Sequence, residues 1–336
     1  MFVPVVDSHH QPLMPTTPAR ARRWIQQGKA TPFWKGGVWC VRLNQEPSAR
    51  ATQPIAVGID PGSKKEALVV KSAAHTYLNI QADAVTWVKE AVLTRAQMRR
   101  ARRFRKTPFR QPRFNRAHGG LPPSTKARWQ WKLRLSRWLT RLFPITAFMV
   151  EDIKAATKGH RRWDRSFSPL EVGKHWFFEE LGKLALVQTR QGWETKQLRD
   201  ALGLKKSKLK LAETFSAHCV DAWALAWAVV GGQSLPEDTR LLCITPLRWH
   251  RRCLHRLQPE AGGKRAPYGG TRSLGFTRGT LVRHPLYSLA YVGGTAKGRL
   301  RLHSLTSGKR LCLNAKEAAC QRQTILRWRA RLLPIP

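Results

Sequence analysis

The stretch Ile55–Ile80, IAVGIDPGSKKEALVVKSAAHTYLNI, decides the fold of this 336-residue chain. In IAVGID (Ile55–Asp60), Ile55, Val57 and Ile59 point to one side, and Gly58 and Asp60 to the other. The turn PGSKK follows, then the apolar run EALVV (Glu66–Val70), then a further strand candidate at YLNI (Tyr77–Ile80). Three strands joined by short turns, the first ending on an acid, predict an antiparallel meander.

Upstream, FVPVVD reads as a strand and Ser8–Gln11 as a polar turn. Thr17 precedes Pro18, an N-cap followed by proline at the first helical position. The helix ARARRWIQQ stops at Gly28 and exposes Arg20, Arg22 and Arg23, and VWCVRL (Val38–Leu43) returns as a strand.

Downstream, Ala84–Lys106 is helical in pattern, a rod of roughly 35 Å, and Pro108 and Pro112 end it. Arg95, Arg99, Arg102 and Lys106 form one stripe, while Arg100, Arg103 and Arg105 take other faces. A helix basic on all sides buries no face in an apolar core; it reads either as a solvated charge run or, better, as a rod embedded among phosphates. The tail FRQPRFNR (Phe109–Arg116) continues it. Then come a helix (Ala127–Phe143), the strand ITAFMVED (Ile145–Asp152), short helical stretches and the basic loop LKKSKLKL (Leu204–Leu211). AETFSAHCVDAWALAWAVV (Ala212–Val230) reads as one long, mostly buried helix closed by Gly231–Gly232. Beyond residue 236, GTLVRH, LYSLAYV, GRLRLHSL and KRLCLN are short strands, with turns at Gly293–Gly294 and Ser307–Gly308. They make a basic β-module joined through PEAGGKRAPYGGT.

Composition sets the partner. Lys plus Arg total 61 against 20 Asp plus Glu, a formal charge of +41, and a compact fold with that excess repels itself unless a polyanion neutralises it. Nucleic acid is the expected companion. An apolar share of 42% with 14 Trp and 12 Phe supplies cores and excludes a disordered basic tail. No apolar run is long enough for a membrane span, and the N-terminus lacks a signal-peptide pattern, so a cytoplasmic protein is expected. The cysteines (Cys40, Cys219, Cys243, Cys253, Cys312, Cys320) form no C-x-x-C pair and read as reduced and structural. His250, Cys253 and His255 lie close together, but a closed zinc site needs four ligands and no second cluster accompanies them.

Three acids fall at informative places: Asp60 ends the first strand, Glu151 ends TAFMV, and Asp221 lies in the helix after AETF. His218 precedes Asp221 by three residues, on the same helical face. A parallel strand beside the first puts Glu151 next to Asp60, and the helix brings Asp221 to the same edge. Clustered carboxylates call for a cation, and a pair of Mg²⁺ ions suits phosphodiester cleavage. Each residue also has an ordinary reading: Asp60 as a turn former before Pro-Gly, Glu151 as a strand end, His218 and Asp221 as a capping or salt-bridged pair.

PLMP (Pro12–Pro15), GIDPGSK (Gly58–Lys64), the arginine-rich helix ending RFNR (Arg113–Arg116), VED (Val150–Asp152) and AHCVDA (Ala217–Ala222) stand in the order found in the IscB/IsrB family. Those are transposon-encoded, RNA-guided RuvC nucleases, and the chain resembles them over nearly its whole length. The resemblance implies an α/β, RNase H-like (RuvC) mixed sheet split by an arginine-rich bridge helix. It places a PLMP domain at 1–52, RuvC parts at 53–91 and 118–235, the bridge helix at 92–117 and a β-rich module reading a target-adjacent motif at 236–336. It implies metal ligands at Asp60, Glu151 and Asp221, with His218 assisting. Guide RNA contacts fall to Arg95, Arg99, Arg100, Arg102, Arg103, Arg105, Arg113 and Arg116. Between Glu151 and His218 no paired His–Asn–His arrangement of an HNH nuclease occurs, so the chain looks like IsrB, the HNH-less branch. That implies an Mg²⁺-dependent nickase, monomeric in a ribonucleoprotein with a long structured guide (omega) RNA, acting on double-stranded DNA in a prokaryotic, nucleoid-associated setting. Two other readings stand beside it: a non-catalytic RNA-binding scaffold and a guide-independent, structure-specific endonuclease of the same fold.

Overall fold

The computed structural model describes residues 2–104, 121, 123–154, 170–247, 272–325 and 327–333. The chain divides into two compact units, one running through Ile244 and taking in Leu332–Leu333, the other Thr245–Arg331. Among the described residues no helix is long and apolar enough to cross a membrane.

The first unit opens with β1 (Val3–Val6), β2 (Pro12–Thr16), helix α1 (Pro18–Gln26), β3 (Ala30–Lys35) and β4 (Val38–Leu43), in a sheet ordered β2-β1-β4-β3. Thr17 caps α1 as its sequence predicts, its hydroxyl accepting from Arg20 N at 3.4 Å. Val5, Ala21, Ala30 and Val41 form a small core, and Arg20, Arg22 and Arg23 stay exposed.

The meander follows as β5 (Ile55–Asp60), β6 (Lys65–Ser72) and β7 (Thr76–Asp83), both pairings antiparallel. Every residue of β5 is buried, because it is a central strand with both faces covered. Ala84 and Val85 lie outside the helix expected from Ala84; α2 runs over Val88–Phe104. Then come α3 (Pro123–Leu139), β8 (Ala147–Asp152), α4 (Lys174–Gly182), β9 (Leu186–Gln191), α5 (Gly192–Ala201), α6 (Cys219–Val230) and β10 (Leu241–Pro246). Strands β8 and β9 add in parallel beside β5, and β10 in parallel beside β7, giving the mixed order β10-β7-β6-β5-β8-β9.

Helices cover both faces. Ala67 and Val69 of β6 share a core with Cys219, Ala222 and Trp223 of α6. On the other face of the same strand, Glu66 meets Lys132 of α3 in a fully buried ion pair at 2.6 Å. Gly58 allows α6 to lie directly on β5: a β-carbon there would overlap the Ala222 carbonyl oxygen and stand 2.7 Å from Ala226 N. At the far end of α6, Lys71 is buried at 2% exposure and donates to Gly231 O (2.7 Å) and Ser72 O (2.9 Å).

The second unit is β-rich: β11 (Arg272–Ser273) and β12 (Phe276–Thr277) pair as a ribbon. Strands β13 (Thr280–His284), β14 (Ser288–Ala296), β15 (Arg299–Ser304), β16 (Arg310–Ala315) and β17 (Gln321–Ile325) form a sheet ordered β16-β15-β14-β13-β17. Val282, Ala290, Val292, Leu300 and Leu302 fill its core. Leu332–Leu333, at the end of β18 (Trp328–Leu333), complete the seven-stranded sheet on the outer side of β10.

Three further expectations change. The units divide at Ile244/Thr245 rather than 235/236, because Leu241–Pro246 pairs with β7. The helix expected from Ala212 starts at Cys219, after a single tight turn at Phe215–Ala217. Gly293–Gly294 is no turn but an irregularity inside β14, where a side chain at Gly293 would overlap the His303 ring that stacks on Tyr291. Strands β2, β3 and β9 lack the apolar alternation that announces a half-buried strand.

Candidate active site

Asp60 ends β5 and Glu151 lies near the end of β8. The parallel register pairs Gly58 with Met149 and Ile59 with Val150, so the next residues, Asp60 and Glu151, stand side by side. Asp60 shares its face with Gly58, the face that α6 covers. Because Ala222 sits on Gly58, the preceding residue, Asp221, is carried to the same edge in the first turn of α6. Asp221 is 3% exposed there.

His218 lies just outside α6, with φ −140° and ψ −37°. The same-face spacing inferred from a continuous helix therefore does not apply, yet His218 reaches the site. Its Nδ1 is 3.3 Å from Asp60 Oδ2 and its Nε2 is 2.8 Å from the Lys210 carbonyl oxygen. A carbonyl only accepts, so Nε2 carries a hydrogen. Burial disfavours the charged ring, but Asp60 and the Lys210 carbonyl outweigh it and raise the His218 pKa.

Charge balance is the central property of this edge. Burial, then repulsion from Asp60 and Asp221, pushes Glu151 up to about 7, against the opposing pull of Lys206 and Arg199. Asp221 is held by Arg199 Nη1 at 2.7 Å on one oxygen and by Lys206 Nζ on the other. Among the described residues, no three His, Cys, Asp or Glu side chains stand as a ready-made ion cage. The acids themselves suit a hard divalent cation: all the donors are carboxylate oxygens, and Glu151 is destabilised as an anion by its neighbours.

The surroundings hold Glu151 in place. A side chain at Gly192 would lie 2.8 Å from Glu151 Oε1, so glycine leaves the carboxylate its room. Asp152 is turned away, taking Lys174 Nζ at 2.7 Å and Gln191 Nε2 at 2.9 Å. Burial raises its pKa, but these two donors and the Lys174 charge prevail and lower it. The Gln191 backbone N–H donates to Glu194 Oε2 at 2.6 Å, fixing the start of α5 next to the site.

Sequence reasoning missed Arg199, Lys206, Gly192 and the Lys210 carbonyl. None of them carries a local mark in the sequence; each reaches the site only once β9, α5 and the loop after it are placed. Of the arginines expected to grip RNA, Arg99 and Arg100 lie exposed on α2. Arg95, Arg102 and Arg103 belong to the same helix, and the expectation on their side chains lies outside what is described. Arg105, Arg113 and Arg116, and the candidate zinc ligands His250, Cys253 and His255, lie outside the described residues.

Residues 3–162 match a family described as "RRXRR protein". Arg99–Arg103, Arg-Arg-Ala-Arg-Arg, spell that pattern on α2. Among solved structures, T. thermophilus RuvC in complex with a Holliday junction substrate is similar over 53% of this chain and 97% of its own, at 14% identity and a TM-score of 0.30. A second Thermus thermophilus RuvC structure gives 53% and 96%, 14% identity and a TM-score of 0.29. No curated protein matches the chain. The sequence similarity to the RRXRR proteins thus spans the N-terminal module, the meander, the arginine helix and Glu151.

Proposed function

We propose that this chain is an RNA-guided, Mg²⁺-dependent DNA nickase. A long structured guide RNA pairs with target DNA beside a short flanking motif, and the displaced strand is cut at the Asp60 centre. The observation that carries this reading is the convergence of Asp60, Glu151, Asp221 and His218 on one sheet edge, in a chain of charge +41. An arginine-rich helix, α2, follows the meander and adds to it. The mixed sheet, a meander extended by parallel strands, supports the RNase H-like assignment.

Asp60, Glu151 and Asp221 would hold Mg²⁺, which when bound neutralises the phosphate and lowers the pKa of water. The protein's own groups prepare the site. His218 buttresses Asp60 through Nδ1, and its Nε2–H is fixed on the Lys210 carbonyl, which sets the ring's orientation. The helix end at Asp221 and the glycine at 192 keep room and charge where a phosphodiester must approach. Helix α2 and the residues to 117 are assigned to the guide backbone, which is gripped through phosphates rather than bases. The β-rich unit is assigned to the flanking motif. In its described part, the interval between Glu151 and His218 is taken up by α4, β9 and α5, which supports one cutting centre and hence a nick.

Asp60→Ala tests this. The substitution removes a ligand and no phosphate contact, so guide-dependent DNA binding should persist while nicking falls by at least about 100-fold, in line with losing a group of this kind. Nicking at the wild-type rate in Mg²⁺ would remove Asp60 from the centre.

A further inference from the structure

The loop Leu204–Leu211, LKKSKLKL, joins α5 to the turn before α6. Two of its groups end on the acid edge. Lys206 Nζ is ion-paired with Asp221, and the Lys210 carbonyl accepts from His218 Nε2. The loop is fastened by Ser207 N donating to Ser216 O at 2.8 Å, and the segment after it by Gln81 Nε2 donating to Ala212 O at 2.9 Å. Lys205 and Lys208 are exposed, as Lys206 is, but only Lys206 pairs with these acids. Composition alone makes these lysines alike; the fold selects one of them.

Lys206 shares the Asp221 carboxylate with Arg199, one cation on each oxygen, and of the two its side chain is the more exposed. A hard divalent cation seeks the same oxygens, and two cations on one carboxylate oxygen repel strongly at such range. Lys206 has a flexible four-carbon stem and a side chain 31% exposed, so it has a route out to water.

We propose that Lys206 is a resident counterion of the acid centre that a divalent cation must displace, so that this side chain sets the ion affinity of the site. The proposal rests on the acid edge being the ion-binding centre.

The test uses the full chain and Mn²⁺ as probe. Brief acylation with an amine-specific reagent, followed by peptide mass spectrometry, should show Lys206 reacting roughly ten times faster at saturating Mn²⁺, a tenfold shift being one decade of equilibrium. Lys205 and Lys208 should change by less than about twofold. By calorimetry, Lys206→Met should bind Mn²⁺ about tenfold more tightly, and Lys208→Met, which removes the same charge, should change affinity less than about twofold. Mn²⁺ binding with unchanged Lys206 reactivity overturns the displacement and leaves the acid centre standing. Equal tightening in both variants overturns it as well, since the effect would then be net charge alone. No Mn²⁺ binding by the wild-type chain overturns both the displacement and the acid-centre reading.

Discussion

Gly58→Ala probes the contact on which the whole site depends. The new β-carbon would stand 2.7 Å from Ala226 N and 2.8 Å from the Ala222 carbonyl carbon, against an ordinary contact of 3.4–4 Å. Helix α6 must therefore retreat from β5 by about 0.7 Å or more, and farther at the Ala222 oxygen, which it overlaps. Both obstacles are backbone, so no side chain can rotate away. The helix face that would move carries Cys219, Ala222, Trp223 and Ala226, all buried to within 1%. Overpacking of this kind costs about 1–3 kcal/mol or more. At roughly 2–4 °C per kcal/mol for a unit of this size, the melting temperature should fall about 5–10 °C. Tryptophan fluorescence reports it directly, since Trp223 is buried on α6 and donates to Thr76 Oγ1 at 2.8 Å. Mn²⁺ affinity should fall in parallel, because Asp60 rides on β5 and Asp221 on α6. Gly28→Ala is the control: Gly28 has φ +68° but no atom within 4 Å of a built β-carbon. It should cost about 1–2 kcal/mol through backbone conformation alone and leave Mn²⁺ binding unchanged. An unchanged melt for Gly58→Ala would show that the close approach does not hold helix and strand together.

Two further substitutions test the charges. Glu151 is held up to about 7 by burial and by Asp60 and Asp221, from an ordinary 4.5. Between those values the folded chain keeps a proton that the unfolded chain has lost, so in chelator the wild type loses stability as pH rises through that window. Glu151→Gln does not, so the melting difference, variant minus wild type, should grow from pH 5 to 7 and level off above; a constant difference would contradict the assignment. Lys132→Met strands the fully buried Glu66 and should cost about 3–5 kcal/mol in urea unfolding, whereas adding Glu66→Leu should recover most of it. Equal losses in single and double variants would mean the pair is not coupled.

The meander and the acids were legible in the sequence for a common reason. Strands β5 to β7 have short connections, and Asp60 falls at a strand end that the turn Pro61–Gly62 marks. Glu151 was legible because AFMV (Ala147–Val150), the run before it, is apolar throughout, as a strand buried on both faces must be. His218 was placed at the site by the wrong geometry: AETFSAH has helical composition, but the chain turns there and the helix begins one residue later, at Cys219. Strand β9 was invisible because it is half exposed, and its sequence LVQTRQ alternates too weakly to stand out. Lys206 and Arg199 were hidden for a different reason. A lysine in a basic loop and an arginine on an amphipathic helix carry no local mark of the carboxylate they meet, since Asp221 arrives from 15 and 22 residues away.

The sheet also has a timetable. Asp60 and His218 are 158 residues apart in sequence, and synthesis at about 5–20 residues per second separates their appearance by roughly 8–30 s. Helix α2 leaves the ribosome well within that interval, ahead of Glu151 and Asp221. The growing polypeptide thus displays its cationic rod while the acids of the sheet edge are still incomplete, so a polyanion can meet the rod before that edge exists.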